Sequence, residues 1–177
     1  MKMNLSRNLL FLCLFAVLFL VAGCRTENDD SLAADPIPRA FVQRVIDGDT
    51  FVLDNGERVR FIGVNAPEMT PKPPEPGAEA ATKFVKDKVE GKHVWLEADG
   101  DDRDRYGRLR RYIWLQRPAD PRNEQEIRRF QLNALLLEQG HAVTMIIGKP
   151  KNADLFRRIE AEAKKKGRIQ SSFASFQ

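Results

Sequence analysis

Three runs of strand-forming residues open the patterned part of the chain: Ala40–Ile46, Thr50–Leu53 and Arg58–Val64. Each is rich in Val, Ile and Phe. They are separated by "DGD" (47–49) and "DNG" (54–56), both of which carry the chemistry of tight hairpin turns. The pattern predicts a three-stranded antiparallel meander. Alternation is imperfect in the first and third runs, as expected where a closed barrel has neighbours on both faces. Residues 67–77, "PEMTPKPPEPG", hold five prolines, a density that no regular element survives. Ala78, Ala81, Phe84, Val85 and Val89 then recur at helical spacing. They predict a helix from about Ala78 to Glu90, ended by Gly91. "KHVWLEA" (92–98) and "RLRRYIWLQ" (108–116) read as two further strands. Glu126–Gln139 reads as one strongly apolar helix stopped by Gly140, and "HAVTMII" (141–147) as a short extended piece. A last helix is expected over Ala153–Lys166, capped by Asn152 and closed by Gly167.

Three strands, a helix, two strands and two helices form an α+β chain. They suit a five-stranded Greek-key β-barrel of the OB type with three helices. The 177 residues are enough for one such domain.

The first residues carry a different pattern. Lys2 and Arg7 precede an uninterrupted apolar run, Leu9 to Ala22, of 14 residues. A membrane span needs ~20, whereas a secretory signal is satisfied by fewer. The run ends in "VAGC" (21–24), where small residues precede a cysteine as they do at a bacterial lipoprotein cleavage site. The expectation is a signal peptide over residues 1–23 and lipidation of Cys24, which would tether the protein to a bacterial membrane outside the cytoplasm. Residues 25–38, "RTENDDSLAADPIP", read as a flexible tether, and the domain is expected over 39–177. Only Cys13 and Cys24 exist, so the domain has no disulfide to rely on.

Charge narrows little. Removing residues 1–23 takes away two of the 29 basic residues and none of the 25 acidic ones, so a net charge of +4 becomes 27 − 25 = +2. That is too weak to argue nucleic-acid binding, and any grip on phosphate must come from local placement of arginines. The two histidines, His93 and His141, have no cysteine partners for zinc. Neither a nucleophile-elbow serine nor a glycine-rich phosphate loop is present.

What remains is oxygen donors and arginines. A hairpin explains Gly48 and one aspartate of Asp47-Gly48-Asp49, but not the second carboxylate. Two carboxylates flanking a turn can also face a hard cation. Taken singly, Arg60 reads as a barrel-surface ion pair, Glu68 as a solvated loop charge, and 103–111 as an exposed hairpin of mixed charge.

The segments "VIDGDTFVL", "RVRFIGVNAPE", "DRYGRLRRYI" and "LLLEQGHA" together resemble the staphylococcal nuclease (thermonuclease) family, in order and in spacing, over about residues 40–167. The resemblance implies a monomeric, Ca2+-dependent nuclease that cleaves DNA and RNA with little sequence preference, leaving 5′-hydroxyl and 3′-phosphate ends. It implies Asp49 as a metal ligand, with Asn65 at the second ligand position and the backbone carbonyl at Ala66. It implies Glu68 as the residue that handles the attacking water, and Arg60 and Arg108 as the arginines that grip the phosphate.

The chain departs from that family pattern in three places. Asn65 stands where the pattern has an aspartate, so one negative charge is missing from the metal shell. Alignment through Gly140 puts Ile146 and Gly148 where the archetype has two tyrosines against the terminal nucleotide. The tail "KGRIQSSF" lacks a tryptophan. These departures motivate an alternative: a non-catalytic OB-type nucleic-acid-binding lipoprotein that has kept only the scaffold.

Overall fold

The computed structural model describes residues 35–70 and 72–168. The signal peptide, Cys24 and the tail from residue 169 lie outside the described residues. The described residues all belong to one compact unit.

The strands are β1 (Arg39–Asp47), β2 (Thr50–Leu53), β3 (Arg58–Phe61), β4 (Val64–Asn65), β5 (His93–Glu97), β6 (Leu109–Trp114) and β7 (Val143–Thr144). The helices are α1 (Ala78–Val89), α2 (Glu124–Phe130), α3 (Leu132–Gln139) and α4 (Ala153–Lys165). Five strands close into a barrel in the order β1-β2-β3-β6-β5. β1, β2 and β3 form the expected antiparallel meander. β3 pairs with β6 in parallel, the only such pairing among the described residues. A parallel pairing needs a long crossover, and here the proline loop, α1 and β5 supply it. Phe51, Phe61, Val59, Tyr112, Ile113 and Trp114 fill the core and are almost fully buried.

Four local differences from the sequence reading matter for the site. The domain begins before Arg39: Ile37 packs into the core, and Asp35 pairs with Arg117. The expected tether over residues 24–38 therefore gives up its last four residues to the packed unit.

The third strand is not continuous to Val64. It breaks at Gly63, which has φ +77° and approaches Phe156 so closely that a Cβ there would lie 2.9 Å from its ring. After this break β4 leaves the barrel and pairs with β7 instead, Asn65 lying opposite Val143.

The helix expected over 126–139 is two helices. Gln131 between them is extended, wholly buried and bridged to Trp114 at the end of β6. A long-range backbone pairing thus overrides an unbroken apolar pattern. Just after it, buried Asn133 accepts from the Ile113 N–H at 2.9 Å and donates to the Ile62 carbonyl at 2.9 Å. Ile62 lies at the strand break, so this one amide satisfies a carbonyl that the ladder has abandoned.

Asn152 sits at the start of α4 but makes no side-chain cap. Its amide donates to Gln131 Oε1 at 3.4 Å.

Candidate active site

The β1–β2 turn is built for close approach rather than for an unusual backbone. Gly48 does not have a positive φ, unlike Gly56 of the "DNG" turn at +84°. A Cβ on Gly48 would lie 2.6 Å from the Ala66 Cβ and 2.8 Å from the Ala81 Cβ. Glycine is needed because the turn is wedged between α1 and the segment after β4. The two "D-G" turns are therefore not equivalent, contrary to the reading from turn chemistry alone.

This wedge buries Asp49, which is 1% exposed. Its N–H donates to Asp47 Oδ1 at 3.1 Å, tightening the turn. Asp49 Oδ1 accepts from the Thr50 hydroxyl at 3.0 Å, and Oδ2 from the Ala66 N–H at 2.7 Å. Arg60 Nη1 lies 2.8 Å from Asp49 Oδ2. Even so, burial dominates. It pushes the Asp49 carboxyl up to about 7 against the pull of Arg60, with Asp47 adding to the rise.

Arg60 projects outward from β3 and is gripped from three sides. Besides Asp49, Nη1 donates to the Val64 carbonyl at 2.9 Å and Nη2 to Asn65 Oδ1 at 2.9 Å. The guanidinium therefore lies across the oxygens of both side chains expected to face a cation.

Glu68 follows at the mouth of the proline loop. The loop is closed by two reciprocal bonds: the Glu68 N–H donates to Glu75 Oε2 at 2.8 Å, and the Glu75 N–H to the Glu68 carbonyl at 3.1 Å. The Glu68 carboxyl is held above the usual carboxylate range, first by partial burial and then by the neighbouring Asp47.

Arg108 comes from the opposite side, on the loop that feeds β6. Asp104 fixes it: Oδ2 accepts from Arg108 Nε at 2.7 Å, while Oδ1 accepts from the Arg108 and Tyr106 N–H groups at 3.0 and 2.9 Å. Burial pushes the Asp104 carboxyl up, but the hydrogen bonds from Arg108 and Tyr106 outweigh it and hold it below its usual value. Tyr106, 68% exposed, lies under the Arg108 guanidinium at 5.3 Å.

Arg60, Asn65, Glu68 and Arg108 line one open cleft of about 590 Å³. Asp49 and Ala66 are buried behind it: Asp49 contacts the cleft residue Arg60 and accepts from the Ala66 N–H. The fold thus gathers all six sequence-predicted site residues of the domain around a single feature. The far wall differs from the alignment. Met145 and Ile147 line the cleft, whereas the Ile146 side chain turns toward Gly63. Sequence reasoning also missed Asp104 as the residue that aims Arg108. The Asp-x-Tyr-Gly-Arg spacing was its signal, since an aspartate two residues before a turn commonly bonds the backbone ahead. Asn133 left no such signal, sitting as one polar residue in an apolar run.

Residues 58–169, more than half of the chain, match the family model described as Staphylococcal nuclease homologue. The chain belongs to this staphylococcal nuclease family. Over 79 residues it is 46% identical to the Thermonuclease of Staphylococcus intermedius, covering 42% of this chain and 47% of that protein. Over 132 residues it is 39% identical to Endonuclease YncB of Bacillus subtilis (strain 168), covering 70% and 56%. Over 137 residues it is 33% identical to Protein ParB of Escherichia coli, covering 72% and 69%. The chain spans about half the length of the first of these curated relatives. The closed five-stranded barrel is consistent with the OB-type fold expected of the family.

The donor set can be tested against the calcium that the family resemblance implies. Among the described residues, no group of three or more His, Cys, Asp or Glu side chains is placed to hold a metal alone. The available set is one buried carboxylate, the Asn65 amide oxygen and the Ala66 carbonyl. These are hard oxygens of the kind calcium accepts, and calcium completes such partial shells with water. Burial raises the Asp49 carboxyl, and Arg60 already contacts Asp49 and Asn65, so an ion would share these oxygens with the guanidinium. The residues fit the ion, at low charge.

Proposed function

We propose that this chain is a calcium-dependent nuclease that hydrolyses phosphodiester bonds of DNA and RNA with little sequence preference. The observation that carries the reading is the convergence of Arg60, Arg108 and Glu68 on one cleft from β3, the β6 loop and the proline loop. Asp49, Asn65 and the Ala66 carbonyl would hold calcium. When bound, that ion supplies Lewis-acid stabilisation of phosphate oxygens. The chain's own groups do the rest. Arg60 and Arg108 present fixed forks to the non-bridging oxygens, where negative charge grows during attack. Glu68 orients a water and takes its proton, and its raised carboxyl brings it nearer the working pH of a general base. The shallow, open cleft and the arginine-rich rim suit a sugar–phosphate backbone more than a particular base. In the same proposal the protein is a monomer carried at a bacterial membrane by lipid on Cys24, facing an extracytoplasmic space.

The test is cleavage of single-stranded DNA by the chain with calcium and with chelator. Calcium-dependent hydrolysis is expected, and no turnover even at saturating calcium would sink the enzyme reading. Oligonucleotide binding without turnover would favour the non-catalytic alternative. One observation speaks for that alternative: Arg60 occupies Asp49 and Asn65 at once.

Asn65→Asp bears on the same point. The substitution restores a negative charge to the proposed metal shell, so calcium affinity should rise by about tenfold or more, since ligand charge helps set it. Isothermal titration with calcium reads this directly. An affinity that does not rise would take Asn65 out of the metal shell.

A further inference from the structure

We propose that Arg110 forms a second phosphate subsite, gripping the nucleic-acid chain next to the phosphate held by Arg60 and Arg108. The inference deepens the nuclease reading and rests on it. Arg110 stands directly opposite Arg60 on the parallel β3–β6 seam. Paired strands run ~4.8 Å apart, and both side chains line the same cleft. The two arginines therefore start from paired positions on neighbouring strands and face one cleft, and like charges set opposite each other are destabilising.

Apart from Asp101 and from Glu68, which interacts with Asp47 and Arg60, the acidic groups around the cleft are paired with other arginines. Arg60 has Asp49 at 2.8 Å. Arg103 has Glu57 at 2.8 Å, Arg108 has Asp104 at 2.7 Å, and Arg105 donates to the Tyr106 hydroxyl at 2.7 Å. Arg110 has only Asp101 Oδ2 at 3.8 Å, from a side chain that is 92% exposed. A pair so open to water is worth little. Among the described residues, its side chain's one other polar contact is a long bond from Nη2 to the Ile147 carbonyl at 3.4 Å. Yet the Arg110 side chain is only 16% exposed, so it is not a solvated surface charge.

A largely desolvated guanidinium with open donors and a like charge beside it calls for an anion. A base edge would offer acceptors but no net negative charge, and would leave the repulsion with Arg60 in place. A phosphate supplies both, and the arginine fork matches it. The substrate class follows: a strand with a further phosphate beside the scissile one, rather than a nucleotide with a single phosphate.

The test is binding of a labelled phosphorothioate oligothymidylate to the full chain in non-ionic detergent with calcium, over a series of salt concentrations. Each phosphate contact on a single strand adds about 0.7 to the slope of log K against log salt. Arg110→Gln should lower that slope by about this amount. Arg110→Lys should keep it, because lysine meets phosphate as a point charge but cannot replace a bidentate contact to a base. A slope unchanged in Arg110→Gln, or lost equally in Arg110→Lys, overturns the subsite. If the unaltered chain neither binds nor cleaves oligonucleotides, the nuclease reading itself has failed. If it does both while the Arg110→Gln slope matches it, the subsite alone has failed.

Discussion

Glu68→Gln is expected to slow phosphodiester hydrolysis by roughly 10²–10⁴-fold, the span that a positioned general base contributes. Glutamine keeps the size and the hydrogen-bonding reach of the side chain but cannot take a proton from water. The carboxyl of Glu68 interacts with Asp47, a contact that raises it and does not close the loop. The loop is closed instead by the Glu68 backbone and the Glu75 side chain. Surface changes of this kind stay within about 0.5 kcal/mol of parental stability. Rate and stability should therefore separate cleanly, the first collapsing while the second holds. Single-turnover cleavage and a urea unfolding curve on the same preparation measure both. A variant that retains cleavage within a few-fold of the parent would remove Glu68 from the chemistry.

Arg60→Gln should damage both properties at once. Arg60 is the closest cation to Asp49, which is buried, and it also satisfies the Val64 carbonyl and the Asn65 amide oxygen. Without Arg60 the buried Asp49 carboxyl takes up a proton, so the cost is chiefly that of leaving the Val64 carbonyl and the Asn65 amide oxygen without their donor, about 1–3 kcal/mol. The rate should fall by roughly 10²–10³-fold as well, the usual loss when one preorganised donor to a developing oxyanion is removed. Arg60→Lys separates the two effects. A single ammonium can stay near Asp49, but it cannot fork between that carboxylate and a phosphate. Stability should recover more than rate. If Arg60→Gln unfolds at the parental urea concentration, the Arg60 contacts contribute nothing to the fold.

Both expectations rest on residues that stand out in the sequence, yet neither could be argued from the sequence in this form. Asp49 stood out as the surplus carboxylate of a hairpin. The contacts of its oxygens with Thr50, Ala66 and Arg60 arise because a glycine lets the turn slide under α1. Asn65 was legible as a lost charge. Its engagement with Arg60 was not, because it depends on β4 leaving the barrel at Gly63 to pair with β7. Counting from Gly140 places Ile146 and Gly148 where the family's archetype has two tyrosines, whereas the fold lines the cleft with Met145 and Ile147. Counting preserves position along the chain but not which way a side chain faces, and in extended backbone an offset of one reverses the face.

The hydrophobic pattern by itself determined the five barrel strands, the meander of the first three, and α1 and α4, because periods of two and of 3.6 residues are local properties. The resemblance to the staphylococcal nuclease family, carried by its motifs, pointed to the six candidate site residues of the domain. The tertiary structure decided what those local signals do not contain. It joined β3 to β6 in parallel, which sets Arg60 beside Arg110. It split an apolar helix at Gln131 through a bridge to Trp114, in which the Leu115 N–H donates to the Phe130 carbonyl. It used Asn133 to close a gap between elements distant along the chain. Each of these is a contact between residues far apart in sequence. Its energy depends on who the neighbour is, and no window along the chain carries that information.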